Sequence, residues 1–126
     1  MKFIKLYENF NIGFSKNELK YYFHNIKIKE NDEYIILDLS KVFLDNDKLD
    51  ILYDVLLNKT IIFNCDTHRF KKSEQEEIKV TNTSTVITIE NGDDLIVYDG
   101  KRGHKVDLKY PIKISKLNIE MNKYNI

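Results

Sequence analysis

Helical periodicity occurs twice in this 126-residue chain, both times before residue 58, and every later apolar run is short and either continuous or alternating. That asymmetry restricts the chain to a few helices and a strand-rich second half. Ser15 followed by Glu18 has the form of a capping box, in which each side chain satisfies a backbone N–H of the first turn. Leu19, Tyr22, Phe23 and Ile26 then recur at i, i+3, i+4 and i+7, so the spacing predicts a helix over 15–26. Asp45 or Asn46 caps a second helix, 47–57, with the stripe Leu49, Leu52, Tyr53 and Leu56 and a stop at Asn58-Lys59. Ahead of both, Lys2–Tyr7 reads as a short strand.

Tyr34–Leu39 and Thr60–Cys65 are continuous apolar runs of the kind covered on both faces of a sheet. With the second helix between them they have the spacing of a βαβ unit, which predicts adjoining parallel strands and a right-handed crossover. Residues 66–76 are polar and read as an exposed loop or an extra helical turn. Strand signals follow at Glu77–Val80, Thr85–Glu90 and Leu95–Asp99. Asn91-Gly92 supplies the positive φ that a type I′ hairpin turn requires. A second hairpin turns at Gly100-Lys101-Arg102-Gly103, and Val106, Leu108 and Tyr110 alternate with Lys105, Asp107 and Lys109 on its return. Ile112, Ile114, Leu117 and Ile119 form a last, edge-like strand whose open edge would allow pairing into a homo-oligomer. The expected fold is a single α+β domain over residues 1–126. It has a mixed β-sheet, with an N-terminal βαβ-like half followed by an antiparallel meander, and two main helices. There is no repeat, and Pro111 is the one proline.

Eighteen lysines against two arginines, 17 Ile, 13 Asn and no Ala or Trp form the residue usage of an A/T-rich genome. The lysines then carry little functional information and the arginines carry more. Such usage in a small chain suits an accessory protein of a phage or other mobile element, for instance an anti-defence inhibitor. Twenty acids balance twenty bases, which argues against a non-specific nucleic-acid coat protein, since phosphate neutralisation needs a basic surplus. The charge is nevertheless segregated: residues 30–58 hold eight acids and two bases, residues 101–126 seven bases and two acids. One cysteine, Cys65, rules out an intramolecular disulfide and suits a reducing compartment. The start is too polar for a signal peptide and no run reaches membrane-spanning length, so the expected setting is cytoplasmic, without a membrane partner.

The placement of the arginines is the leading functional signal. Arg69 follows the Thr60–Cys65 strand within Cys65-Asp66-Thr67-His68-Arg69-Phe70, and loops at the carboxyl ends of parallel strands are common ligand sites. Arg102 sits in the glycine-bounded turn beside Lys101 and His104. Guanidinium grips phosphate through a planar fork that lysine cannot copy, and Gly100 and Gly103 would leave backbone N–H groups open to an anion. Together these predict a non-catalytic binding site for a phosphate-bearing ligand: a nucleotide, a cyclic nucleotide signal, or a nucleic-acid backbone. Arg69 and Arg102 would be the clamps, with His68, Lys101 and His104 in support and Phe70 or Tyr98 stacking on a base. The plain alternative for each cluster is a solvated loop.

Two further readings compete. Asp47, Asp50 and Asp54 fall on one side of the second helix and would form an acidic face that docks on a host protein. The order Asp66…Glu77-x-Lys79 matches a metal-dependent nuclease or phosphodiesterase, in which two carboxylates hold a divalent ion. Cys65 and His68 are spaced like half a zinc site, with His24 and His104 the remaining good ligands; Cys65 also reads as a small buried hydrophobe. The phosphate-cradling Gly-x-x-x-x-Gly-Lys-Ser/Thr loop, Gly-x-Gly-x-x-Gly, His-Glu-x-x-His and Gly-x-Ser-x-Gly are absent, so no cofactor is implied and no catalytic residue is assigned.

Overall fold

The computed structural model describes residues 14–67, 72–89 and 94–116; the expected strand at Lys2–Tyr7 lies outside them. Helix α1 (Lys16–Tyr22) opens on a complete capping box. The Ser15 hydroxyl accepts from the Glu18 N–H at 3.1 Å, and the Glu18 carboxylate accepts from the Ser15 N–H at 3.3 Å. The helix is shorter than its apolar stripe. Asn25 takes a left-handed φ of 69°, which a short polar side chain tolerates, so Phe23 and Ile26 reach the core through a bend after the last turn. Helix α2 (Asn46–Leu56) starts at Asp45, whose carboxylate accepts from the Lys48 N–H at 2.9 Å. It buries Leu49, Leu52, Val55 and Leu56.

The described residues hold eight strands: β1 (Lys27–Glu30), β2 (Tyr34–Asp38), β3 (Thr60–Thr67), β4 (Lys72–Lys79), β5 (Thr85–Ile89), β6 (Asp94–Tyr98), β7 (Gly103–Val106) and β8 (Ile112–Ser115). They form one sheet in the order β1-β2-β8-β3-β7-β6-β5, with β4 on the other edge of β3. Among the described residues the α+β architecture with two helices is as the periodicity predicts, but every strand pair there is antiparallel. β2 and β3 do point the same way. They are not neighbours, because β8 lies between them and pairs with both, through Ile35↔Ile114 and Ile61↔Ile114. The expected parallel pair is thereby replaced.

An open edge is expected at Ile112–Ile119, and the same insertion removes it over Ile112–Ser115. Over Ile112–Ser115 the strand has a partner on each side, so that argument for a homo-oligomer fails. Residues 117–119 lie outside the described residues. A second correction concerns residues 66–76. Instead of a loop, Lys72–Lys79 pairs with β3 along eight consecutive positions from Thr67↔Lys72 to Thr60↔Lys79. Its polar sequence hides it from apolar periodicity, and charge is what an edge strand carries to resist pairing with other chains.

β3 is the hub. Its free edge takes β8 at Ile61 and Ile62 and then β7 at Cys65, in line. From Ile62↔Lys113 to Cys65↔Val106, three steps on β3 oppose seven on the other chain, an excursion of four extra residues around Asp107–Pro111. Pro111 has no N–H to give to a ladder and sits in this break. β2 shows one buried face, Ile35 and Leu37, while Tyr34, Ile36 and Asp38 are half-exposed. The expectation that β2 and β3 are covered on both faces is not met, since an antiparallel sheet needs no crossover helix on its second face. Helix and sheet residues, Leu19, Phe23, Ile35, Leu37, Leu52, Phe63, Leu95 and Ile114 among them, share one apolar cluster.

The burial of Ile114, at 0% exposure, gives a direct check on the position of β8. Ile114→Ala should lower unfolding free energy by about 2–5 kcal/mol in urea titration, as expected at a fully packed core site. A loss within about 0.5 kcal/mol, typical of a surface substitution, would place the strand outside the core.

Candidate functional site

The turn between β6 and β7 is built by one carboxylate. Asp99 begins it, and its Oδ1 accepts from the backbone N–H groups of Lys101 at 2.8 Å and Arg102 at 3.0 Å. Its own N–H donates to the Arg102 carbonyl at 3.1 Å. This is the local wrapping that Asp favours in turns. Gly100 takes φ +97° and lies against the Thr83 side chain, where an added Cβ would come within 3.3 Å of Oγ1; both conditions favour glycine. Thr83 belongs to the β4–β5 turn, which is itself tied to α2 by the Tyr53 hydroxyl donating to the Thr81 carbonyl at 2.9 Å.

The second oxygen of Asp99 reaches under the turn. Asp99 Oδ2 lies 2.7 Å from His104 Nε2, and His104 Nδ1 meets Glu76 Oε2 from β4. His104 is only 4% exposed and packs edge-on to Phe63, ring centroids 6.0 Å apart. Each ring nitrogen thus faces a carboxylate oxygen. The arrangement is therefore a carboxylate–imidazole–carboxylate bridge joining the turn to the β4 edge. The N–H of Arg102 first, then the His104 ring and the N–H of Lys101, hold the Asp99 carboxyl well below the usual carboxylate range.

Above the bridge the surface is cationic and aromatic. Lys101 and Arg102 are exposed. Tyr98, 40% exposed, stands at the end of β6 directly opposite Gly103, which has no side chain to cover it. Of the residues singled out from the sequence, Tyr98, Lys101, Arg102 and His104 thus meet in one hairpin. His68, Arg69 and Phe70 lie outside the described residues. The strand ends that flank them, Thr67 and Lys72, lie at the same end of the sheet as this turn, since β7 runs antiparallel to β3. Among the described residues β3 has no parallel neighbour, so the switch-point argument for Arg69 finds no support there.

Two expected roles change. His104 does not stand free to support an anion: both its ring nitrogens are engaged by carboxylates of the chain itself. The backbone N–H groups that glycines were expected to leave open are filled by Asp99. The nest holds the chain's own carboxylate.

The remaining candidates separate in space. Asp47, Asp50 and Asp54 are exposed along α2. Asp66 pairs with Ser73 while Glu77 pairs with Ile62, so the two positions stand four residues apart along the ladder, about 13 Å at the usual rise. That spacing does not bring two carboxylates onto one ion. Cys65 is buried and His24 exposed, and among the described residues no group of three or more His, Cys, Asp or Glu could hold a metal ion. Glu76 and Asp99 approach opposite nitrogens of His104 and so do not converge on a common point either. No described helix is long and apolar enough to cross a membrane. The chain matches no family model, no curated protein and no solved structure.

Sequence reasoning missed Glu76 and Asp99. Asp99-Gly100 carries a local turn signature that points to Asp99, whereas Glu76 lies 28 residues from His104 in a run of acids without any distinguishing signal. Two outcomes test the bridge. His104→Leu strands two carboxylates without their donor and should lower stability by about 2–3 kcal/mol in urea titration. Asp99 is depressed in the folded state, so its contribution is present above its unfolded pKa of about 3.9 and is lost as pH falls through the lower, folded value. Asp99→Asn keeps an acceptor for the turn but no charge. Its stability should trail that of the wild type at neutral pH, and the gap should close as the pH drops below about 4.

Proposed function

We propose that this protein is a non-catalytic binder of a phosphate-bearing ligand, acting through the β6–β7 hairpin tip. The observation that supports this most is the grouping of exposed Lys101, Arg102 and Tyr98 on a turn fixed from below by Asp99 and His104. Two adjacent cations supply charge, and a fixed turn removes part of the ordering cost of binding. Inhibition of a host or defence protein is the competing proposal, carried by the exposed stripe Asp47, Asp50 and Asp54.

Amide-detected NMR titration with inorganic triphosphate, ATP and a short oligothymidylate separates the two. Shifts should cluster at residues 98–103, and the double variant Lys101→Ala, Arg102→Ala should weaken binding at least tenfold. Reversing Asp47, Asp50 and Asp54 to Lys should leave binding in place. Titrations unaffected by the Lys101 and Arg102 changes would remove the proposal.

A further inference from the structure

Resting on that reading, we infer that the hairpin tip takes single-stranded nucleic acid and not a free nucleotide or isolated phosphate. Three features of the tip select the polymer. A small anion is best held by converging backbone N–H groups, and at this turn those of Lys101 and Arg102 are already donated to Asp99 Oδ1. What remains for a ligand is the two long side chains. They project from neighbouring positions on a hairpin turn, which is convex, whereas sites that hold a nucleotide-sized molecule are concave and bury most of it. Side chains on a convex tip match phosphates strung along a chain that passes over them.

Tyr98 supplies the second element. Its register partner across the β6–β7 ladder is Gly103 and across the β5–β6 ladder Thr85, both exposed. A Cβ placed on Gly103 would sit 3.1 Å from Ile96 Cγ2 and 4.0 Å from the Tyr98 ring, so the glycine accommodates Ile96 and puts no cross-strand side chain over the Tyr98 ring. An aromatic next to two cations on a solvent-facing ribbon is the pairing that binds single strands: cations follow the backbone while a base stacks on the ring. Bases in a duplex are already stacked on one another and do not offer that face. The third element is charge economy. With a formal net charge of zero, the molecule has no overall attraction for nucleic acid, so binding depends on this local pair and on stacking.

Fluorescence anisotropy tests this with a labelled oligothymidylate of about ten nucleotides, a duplex of equal length, and thymidine triphosphate as competitor, at low salt. The oligothymidylate should bind, with log K falling against log salt by about 1.4 per decade for two neutralised phosphates. Lys101→Ala with Arg102→Ala should flatten that dependence. Tyr98→Ala should weaken binding on the order of tenfold while leaving the slope unchanged, and Tyr98→Phe should retain wild-type affinity. Competition by the triphosphate at equal nucleotide concentration, equal binding of the duplex, or wild-type affinity in Tyr98→Ala would each overturn the inference while leaving anion binding at the tip intact. If none of the three probes shows binding that depends on Lys101 and Arg102, the proposed function falls with it.

Discussion

Everything in the sheet leans on β3. Among the described residues it is the one strand bordered by three others, with β4 along one edge and β8 and β7 in succession along the other. The four-residue excursion at Asp107–Pro111 lets a single stretch of chain change its outer neighbour, from β6 before the break to β2 after it. The sheet therefore spreads into two wings from a common spine. One wing carries β2 and β1, and the other carries β6 and β5 with the cationic hairpin. Phe63 and Ile61, on the buried face of this spine, belong to the core of both.

The bridge beneath the hairpin belongs to the same logic. A buried imidazole is costly unless its nitrogens are satisfied, and here both are, by groups from two separate parts of the chain. Glu76 extends from β4, Asp99 from the turn, and Phe63 presents the hydrophobic side of the enclosure. Asp99 does two jobs with its two oxygens, wrapping the turn with one and gripping the ring with the other. This makes the turn's shape depend on a strand on the far side of β3. A carboxylate so employed also screens the surface above it: the chain fills its own anion-binding backbone and leaves recognition to side chains.

How much of this was legible follows the distance over which each interaction acts. The Ser15–Glu18 box and the Asp45 cap span three residues, and both can be seen in the sequence. The β6–β7 turn is equally local, so Lys101 and Arg102 emerge as neighbours on a tip. Asn25 shortens α1 against the stripe because one left-handed residue outweighs a further apolar position. β4 escapes detection because a strand without apolar alternation owes its conformation to its partner. β8 reads as an edge because nothing within Ile112–Ser115 indicates that β2 and β3, some 50 to 80 residues earlier, stand open to receive it. Glu76 is invisible for the same reason: its meaning comes from His104.

The position of β8 also sets an order of events during synthesis. β2, α2 and β3 are made as an uninterrupted stretch, while the strand that must lie between them emerges from the ribosome only some 45 residues after β3 ends. Until then the nascent chain carries two like-directed strands with unsatisfied edges and a connecting helix, the arrangement that collapses most readily into direct parallel contact. The edges of β2 and β3 that face β8 are thus satisfied late as the chain is made.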